Sequence, residues 1–170
     1  MTKSTQPITL KGRPFSEQIT LFLACGFGSG LLRPAPGTWG TLPGVLIAWL
    51  VMSQPWLHIA VLLMVSVLGV WLCDRASVIL GVHDHGGIVI DEIAGVLITL
   101  LFFTPTWLTL VLGFLWFRLF DIVKPPPIKW ADERVHNGLG IMLDDWIAGA
   151  FAWVGLWLSL WLGHATGVLG

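Results

Sequence analysis

The chain has no tyrosine, two cysteines and only 19 charged side chains among its 170 residues, and the scarcity of charge is uneven. No Asp, Glu, Lys or Arg lies between Arg33 and Asp74, between Glu92 and Arg118, or after Asp145. A soluble domain carries about 25% charged residues. Here the share is 11%, which excludes an ordinary water-facing surface. Cys25 and Cys73 lie far apart in separate apolar runs, so a disulfide framework is excluded and two buried thiols are expected. A net charge of −1 supplies no field for nucleic acid. The first residues hold Lys3, Lys11 and Arg13 without an adjoining apolar core and small-residue cleavage site, so no removable signal is expected. Repeats and low-complexity tails are missing too, and the length suits one domain over residues 1–170.

What is present is apolar. The composition is 55% hydrophobic with mean hydropathy +0.82 and eleven Trp, a residue suited to bilayer interfaces. These features predict an all-α polytopic integral membrane protein with about five membrane-embedded helices and a short N-terminal interfacial or re-entrant helix. Ser16 is placed to cap that short helix, and the glycines of GFGSG, residues 26–30, to stop it. It falls short of the ~20 residues that cross ~30 Å of hydrocarbon. RPAPGTWGTLPG, residues 33–44, reads as a cavity-lining loop. The embedded segments are expected at 42–53, 57–80, 88–103, 107–122 and 144–163. The turns at 54–56 and 104–106 and the C-terminus hold no Lys or Arg. By the positive-inside rule the opposite face is cytoplasmic, with a tail over 1–16 and a charged loop over 123–141.

Acidic residues crowd that same face. Asp91, Glu92, Asp121, Asp144 and Asp145 fall within the first or last turns of the expected helices, where an ionisable group is costly unless paired, hydrated or bound to metal. Five carboxylates at one level suit Mg²⁺, a hard cation that takes oxygen ligands. Within the adjacent pairs Asp91-Glu92 and Asp144-Asp145, one residue is expected as a ligand and the other as support. Asp144 also reads as a helix N-cap. Asp121 and Lys124, three apart, share a helix face and can pair. Pro125-Pro126-Pro127 would stop the helix and fix Lys124 at the mouth of the site. A fixed ammonium beside carboxylates and metal is what a phosphate ester needs. Ser29, Thr38 and Thr41 are candidate hydroxyl donors to phosphate, and the amides of GFGSG and PGTWGT a candidate anion nest. Arg33 reads either as a phosphate ligand or as a contact to anionic headgroups. His85 and His136 read either as acid or phosphate donors or as interface residues. The HDHGG run lacks zinc spacing, and His58 and His164 lie at the other face.

Three motifs, GFGSG…PGTWGT, VHDHGGIVIDE and FRLFDIVKPPPI…HNGLGIMLDDWIAG, together resemble the phosphatidylglycerophosphatase A family over residues 26–149. The resemblance implies a Mg²⁺-dependent, multi-pass enzyme of the bacterial inner membrane with its active site facing the cytoplasm. Its implied reaction converts phosphatidylglycerophosphate into phosphatidylglycerol and inorganic phosphate. It implies functional positions at Asp84, Asp91, Glu92, Asp121, Lys124, Asp144 and Asp145, with Asp84 joining the metal set. Gly87, Asn137 and Leu32-Arg33 depart from the family pattern, which has Ser, Gly and Ser-Pro there.

The expected activity is thus hydrolysis of a lipid phosphomonoester. Asp121, Lys124, Asp91, Asp145 and His85 are the catalytic candidates. Arg33, Ser29, Thr38, Lys124 and His136 are the substrate contacts. Water attack assisted by metal and an aspartyl-phosphate route both remain open at this stage. The alternative function is a small ion or proton transporter using intramembrane acids. It predicts acids spread through the bilayer depth rather than stacked at one side.

Overall fold

A computed structural model of the chain describes residues 7–83, 85–128, 130 and 137–167. Among these residues the regular structure is helical throughout. The helices are α1 (Phe15–Ala24), α2 (Pro36–Val51), α3 (Pro55–Leu80), α4 (Ile90–Thr99), α5 (Trp107–Val123) and α6 (Gly138–Ala165), with a single 3₁₀ turn at Ser29–Leu31. Local chemistry sets the ends. Pro36 and Pro55 open α2 and α3, where a missing N–H costs nothing. Thr106 and Asn137 cap α5 and α6 by accepting hydrogen bonds from the Thr109 and Gly140 amides. Lys124 leaves α5 at φ 44°, and the following prolines forbid its continuation.

Short turns make the bundle run up and down. The starts of α2, α4 and α6 and the ends of α3 and α5 gather at one end, where Gly37 abuts Glu92 and Gly138 abuts Asp74. The centre is α4, with nine of its ten residues buried, Ile98 excepted. Neighbours reach it through glycine. A Cβ on Gly149 of α6 would stand 2.4 Å from the Gly95 carbonyl, and one on Gly44 of α2 would stand 2.5 Å from Val96. Such small-residue contacts allow backbones to approach where lipid gives no hydrophobic drive to association. Thr99 ties the contact by donating to the Gly95 and Gly149 carbonyls at 3.0 and 3.3 Å.

The outer surface is apolar. Leu63, Val67 and Trp71 of α3, Val111, Leu115 and Leu119 of α5, and Val154 and Trp157 of α6 are all exposed. Trp56 and Trp107 stand at the end away from the acids, the latter stacked on Trp49 at 6.1 Å. His58 is buried toward that far end, with Nε2 3.0 Å from the Leu97 carbonyl, and His164 lies in the last turn of α6. Cys25 and Cys73 are buried thiols, as expected, and burial pushes the Cys25 thiol up to about 12.

A ten-residue N-terminal helix is followed by four longer ones and by α4, which is no longer than it, so the order is as expected but the extents need correction. Two helices, α3 and α6, are long and apolar enough to cross a membrane. At ten residues α4 rises only about 15 Å, half a bilayer core, and is enclosed by protein. Burial of nearly all its residues reflects a central position. The expected loop over 33–44 becomes helix from Pro36 onward, which places Thr38 and Thr41 on α2 and Pro43 within it. Ser16 does not cap α1, because Pro14 occupies that position and the helix begins at Phe15.

Candidate active site

The five carboxylates singled out from the sequence are all buried. Asp91 and Glu92 are 1% and 6% exposed, Asp121 8%, and Asp144 and Asp145 3% and 2%. Asp91 and Glu92 sit in the first turn of α4, where amides are unspent and the helix dipole favours negative charge. The Asp91 carboxylate accepts from the Glu92 amide at 3.0 Å. Asp121 comes from the last turns of α5. Asp144 and Asp145 come from the second turn of α6, below the Asn137 cap. Asp144 is therefore not the N-cap, because the helix starts at Gly138, six residues earlier.

Two basic side chains reach into this group. Arg118 Nη1 lies 2.8 Å from Glu92 Oε2 and 2.6 Å from Asp121 Oδ2, joining α4 to α5. Thr41 of α2 completes the network by donating to Glu92 Oε2 at 2.8 Å. Lys124 Nζ lies 2.5 Å from Asp144 Oδ2. The expected Asp121–Lys124 pair is thus replaced by two others. Lys124 takes a left-handed conformation that breaks helical register with Asp121 and turns its chain across to α6. Arg118, still in register three residues before Asp121, takes that partner instead.

Asp145 is buried and stands within electrostatic range of Asp121, Asp91, Asp144 and Glu92 at once. Among the described residues no three Asp, Glu, His or Cys side chains form a ready ligand set. Glu92 and Asp121 face Arg118, while Asp144 faces Lys124. As chemistry the donors fit Mg²⁺: all are hard oxygens, they share one level, and Asp145 lies buried amid the other acids. Asp84 and His136 lie outside the described residues.

Beside this cluster, a cavity of about 510 Å³ is lined by Ile8, Leu31, Arg33, Pro36, His85 and Gly87, among others. It brings Arg33 and His85 to one space. His85 Nδ1 accepts from the Gly87 amide at 3.0 Å, which leaves the neutral ring's proton on Nε2 as a donor. The residue 26–33 and 85–89 segments cross closely here, since a Cβ on Gly30 would stand 2.3 Å from the Gly87 carbonyl. Ser29 is not among the lining residues, and its hydroxyl donates to the Gly26 carbonyl at 2.7 Å. Thr38 lies in the first turn of α2, between the cavity wall at Pro36 and the Glu92 contact at Thr41.

Sequence reasoning missed Arg118, whose signal was its three-residue spacing to Asp121. It also missed Gly37. A Cβ there would lie 2.3 Å from Glu92 Oε1 and 2.9 Å from Arg118 Nη2, so a larger residue would push the ends of that ion pair out of place. Gly37→Ala should lower turnover by about 10²-fold, because a misplacement near 1 Å has that cost. Far-ultraviolet circular dichroism should remain native. Turnover within threefold of wild type would show that the α2 contact has no part in the site.

A family profile described as phosphatidylglycerophosphatase A matches residues 22–160. A curated Haemophilus influenzae protein named phosphatidylglycerophosphatase A is 44% identical over 133 residues, covering 76% of this chain and 82% of the relative. The Escherichia coli protein of the same name is 44% identical over 132 residues, covering 76% and 77%. A Bacteroides thetaiotaomicron protein with a provisional phosphatidylinositol-3-phosphatase name is 30% identical over 154 residues, covering 85% and 95%. No solved structure matches the chain.

Proposed function

This chain belongs to the phosphatidylglycerophosphatase A family, and from that premise we propose that it is a Mg²⁺-dependent, multi-pass phosphatase of the bacterial inner membrane. Its substrate is phosphatidylglycerophosphate and its products are phosphatidylglycerol and inorganic phosphate. The observation that carries this reading is the gathering of five buried carboxylates and two half-buried cations at a single end of an apolar bundle. A transporter would need such groups along the bilayer depth, and the far end offers His58 on a backbone carbonyl instead.

Asp91, Glu92, Asp121, Asp144 and Asp145 are the candidate ligands, with Asp84 added by family resemblance. Mg²⁺ bound among them would neutralise phosphoryl oxygens and make water a better nucleophile. The chain's own groups do the rest. Lys124 holds the terminal phosphate by charge, and the open first turns of α2 and α4 offer amides to its oxygens. Asp121 orients a water and takes its proton as the water oxygen bonds to phosphorus. The ester P–O bond breaks, and the glycerol oxygen leaves with the proton that Asp121 had taken from the water. Arg33 and His85 line the cavity that receives the rest of the head group. Charge asymmetry between the two faces supports a cytoplasmic position for this end.

Purified protein in detergent should release phosphate from phosphatidylglycerophosphate with Mg²⁺, fall to background in EDTA, and recover with excess Mg²⁺. Sealed inside-out vesicles should hydrolyse added substrate, whereas right-side-out ones should not. Release untouched by EDTA removes the metal from the reaction. No release from folded protein removes the phosphatase reading and favours transport.

A further inference from the structure

Arginine usually grips carboxylates with its fork, two nitrogens to two oxygens. Arg118 does something else. One nitrogen, Nη1, serves Glu92 Oε2 at 2.8 Å and Asp121 Oδ2 at 2.6 Å, and it comes within 3.4 Å of Thr41 Oγ1. The two acids belong to different helices, α4 and α5. Meanwhile the buried Nε finds no hydrogen-bond partner among the described residues. The guanidinium therefore gives up part of its donor capacity to set a single positive point between two carboxylate oxygens. That point is what a small cation shared by two carboxylates would supply.

We propose that Arg118 is a built-in placeholder for the divalent cation, competing with it for Glu92 Oε2 and Asp121 Oδ2. This rests on the metal reading given above and adds a residue to it. Without metal, Arg118 keeps two buried acids neutralised and their helices together. Metal binding must displace the guanidinium from both oxygens. Arg118 is on this account a positioning residue, which sets metal affinity and holds the site in shape until metal arrives.

The sign of the effect separates this from a plain structural ion pair. Arg118→Gln removes the competitor and one positive charge, so Mn²⁺ used as a probe should bind about tenfold tighter or more. Electron paramagnetic resonance of free Mn²⁺ in titrations of detergent-purified protein reads this without turnover. The melting temperature of the variant should be lower than wild type without metal and rise further when metal is added. Affinity equal to or weaker than wild type, with wild type binding normally, overturns the placeholder role alone. No Mn²⁺ binding by either protein overturns the metal reading and this proposal together.

A second measurement needs no variant. Saturating Mg²⁺ should speed phenylglyoxal modification of Arg118 in wild type at least about threefold, scored on its peptide by mass spectrometry, because the guanidinium leaves its two carboxylates. Unchanged or slower modification overturns the proposal even if Arg118→Gln fails to fold.

Discussion

Asp121→Asn should lower phosphate release from phosphatidylglycerophosphate by about 10³-fold while leaving the protein folded and in the membrane. The argument is electrostatic. Asparagine keeps the shape of the side chain and an oxygen that can accept from Arg118 Nη1, 2.6 Å away. Arg118 also retains Glu92 at 2.8 Å, so no buried cation is stranded and helix contacts survive. What disappears is the negative charge that would accept a proton from water or hold a metal. The fall should appear in kcat rather than KM, since Lys124 and the Arg33 cavity still bind the head group. Initial rates at matched concentrations, with gel filtration and melting as controls for folding, decide it. Activity within threefold of wild type would take Asp121 out of the mechanism.

Helix polarity explains why acids can gather here. Three helices, α2, α4 and α6, present their N-terminal ends at this level. Each contributes partial positive charge and amides with no partner inside the helix. Glu92 benefits twice, from its own first turn on α4 and from the first turn of α2 pressed against it at Gly37. The same supply of unspent amides serves a phosphate, so one arrangement holds acids in the resting protein and favours an anionic substrate. The far end, where α3 and α5 begin, has Trp56 and Trp107 exposed in their first turns.

Most of this was legible because charge is so sparse. With three long stretches free of charge, the positions of Asp91, Glu92, Asp121, Asp144 and Asp145 could hardly be accidental, and the structure buries all five at one end. The turns near Pro55 and Thr106 and the stop at the Pro125–Pro127 run were legible, although α3 begins at Pro55 itself rather than after the turn. What stayed hidden depended on contacts between helices. The apolar run continues from Thr99 through Phe103 with no stop signal before Pro105, so α4 was given an extent beyond its ten residues. Glycine and proline in residues 33–44 signalled a loop, but Pro36 serves as a helix start and Gly37, Gly40 and Gly44 serve as packing contacts against Glu92, Val89 and Val96. Partner choice was hidden for a related reason. Spacing alone offered Lys124 to Asp121, and only the backbone turn at Lys124 redirects it to Asp144.

That redirected pair yields the other large effect. Lys124→Met should destabilise the protein by about 3–5 kcal/mol, because it strips a buried carboxylate of its ion partner. Asp144 is 3% exposed and Lys124 Nζ sits 2.5 Å from its oxygen, so water cannot easily replace the ammonium. Joining α5 to α6 near the site, the pair has both a structural and a chemical consequence, and a second substitution separates them. The double variant Lys124→Met, Asp144→Leu removes the stranded charge and restores apolar contact, so most of the lost stability should return. Phosphate release should not return, because the charge that meets the phosphate and a candidate metal ligand are both gone. Melting curves in detergent give the first quantity, and release rates at matched folded concentration give the second. A single variant as stable as wild type would mean the pair is effectively hydrated. Recovery of both stability and turnover in the double variant would make Lys124–Asp144 a structural brace and move phosphate binding to the cavity beside Arg33 and His85.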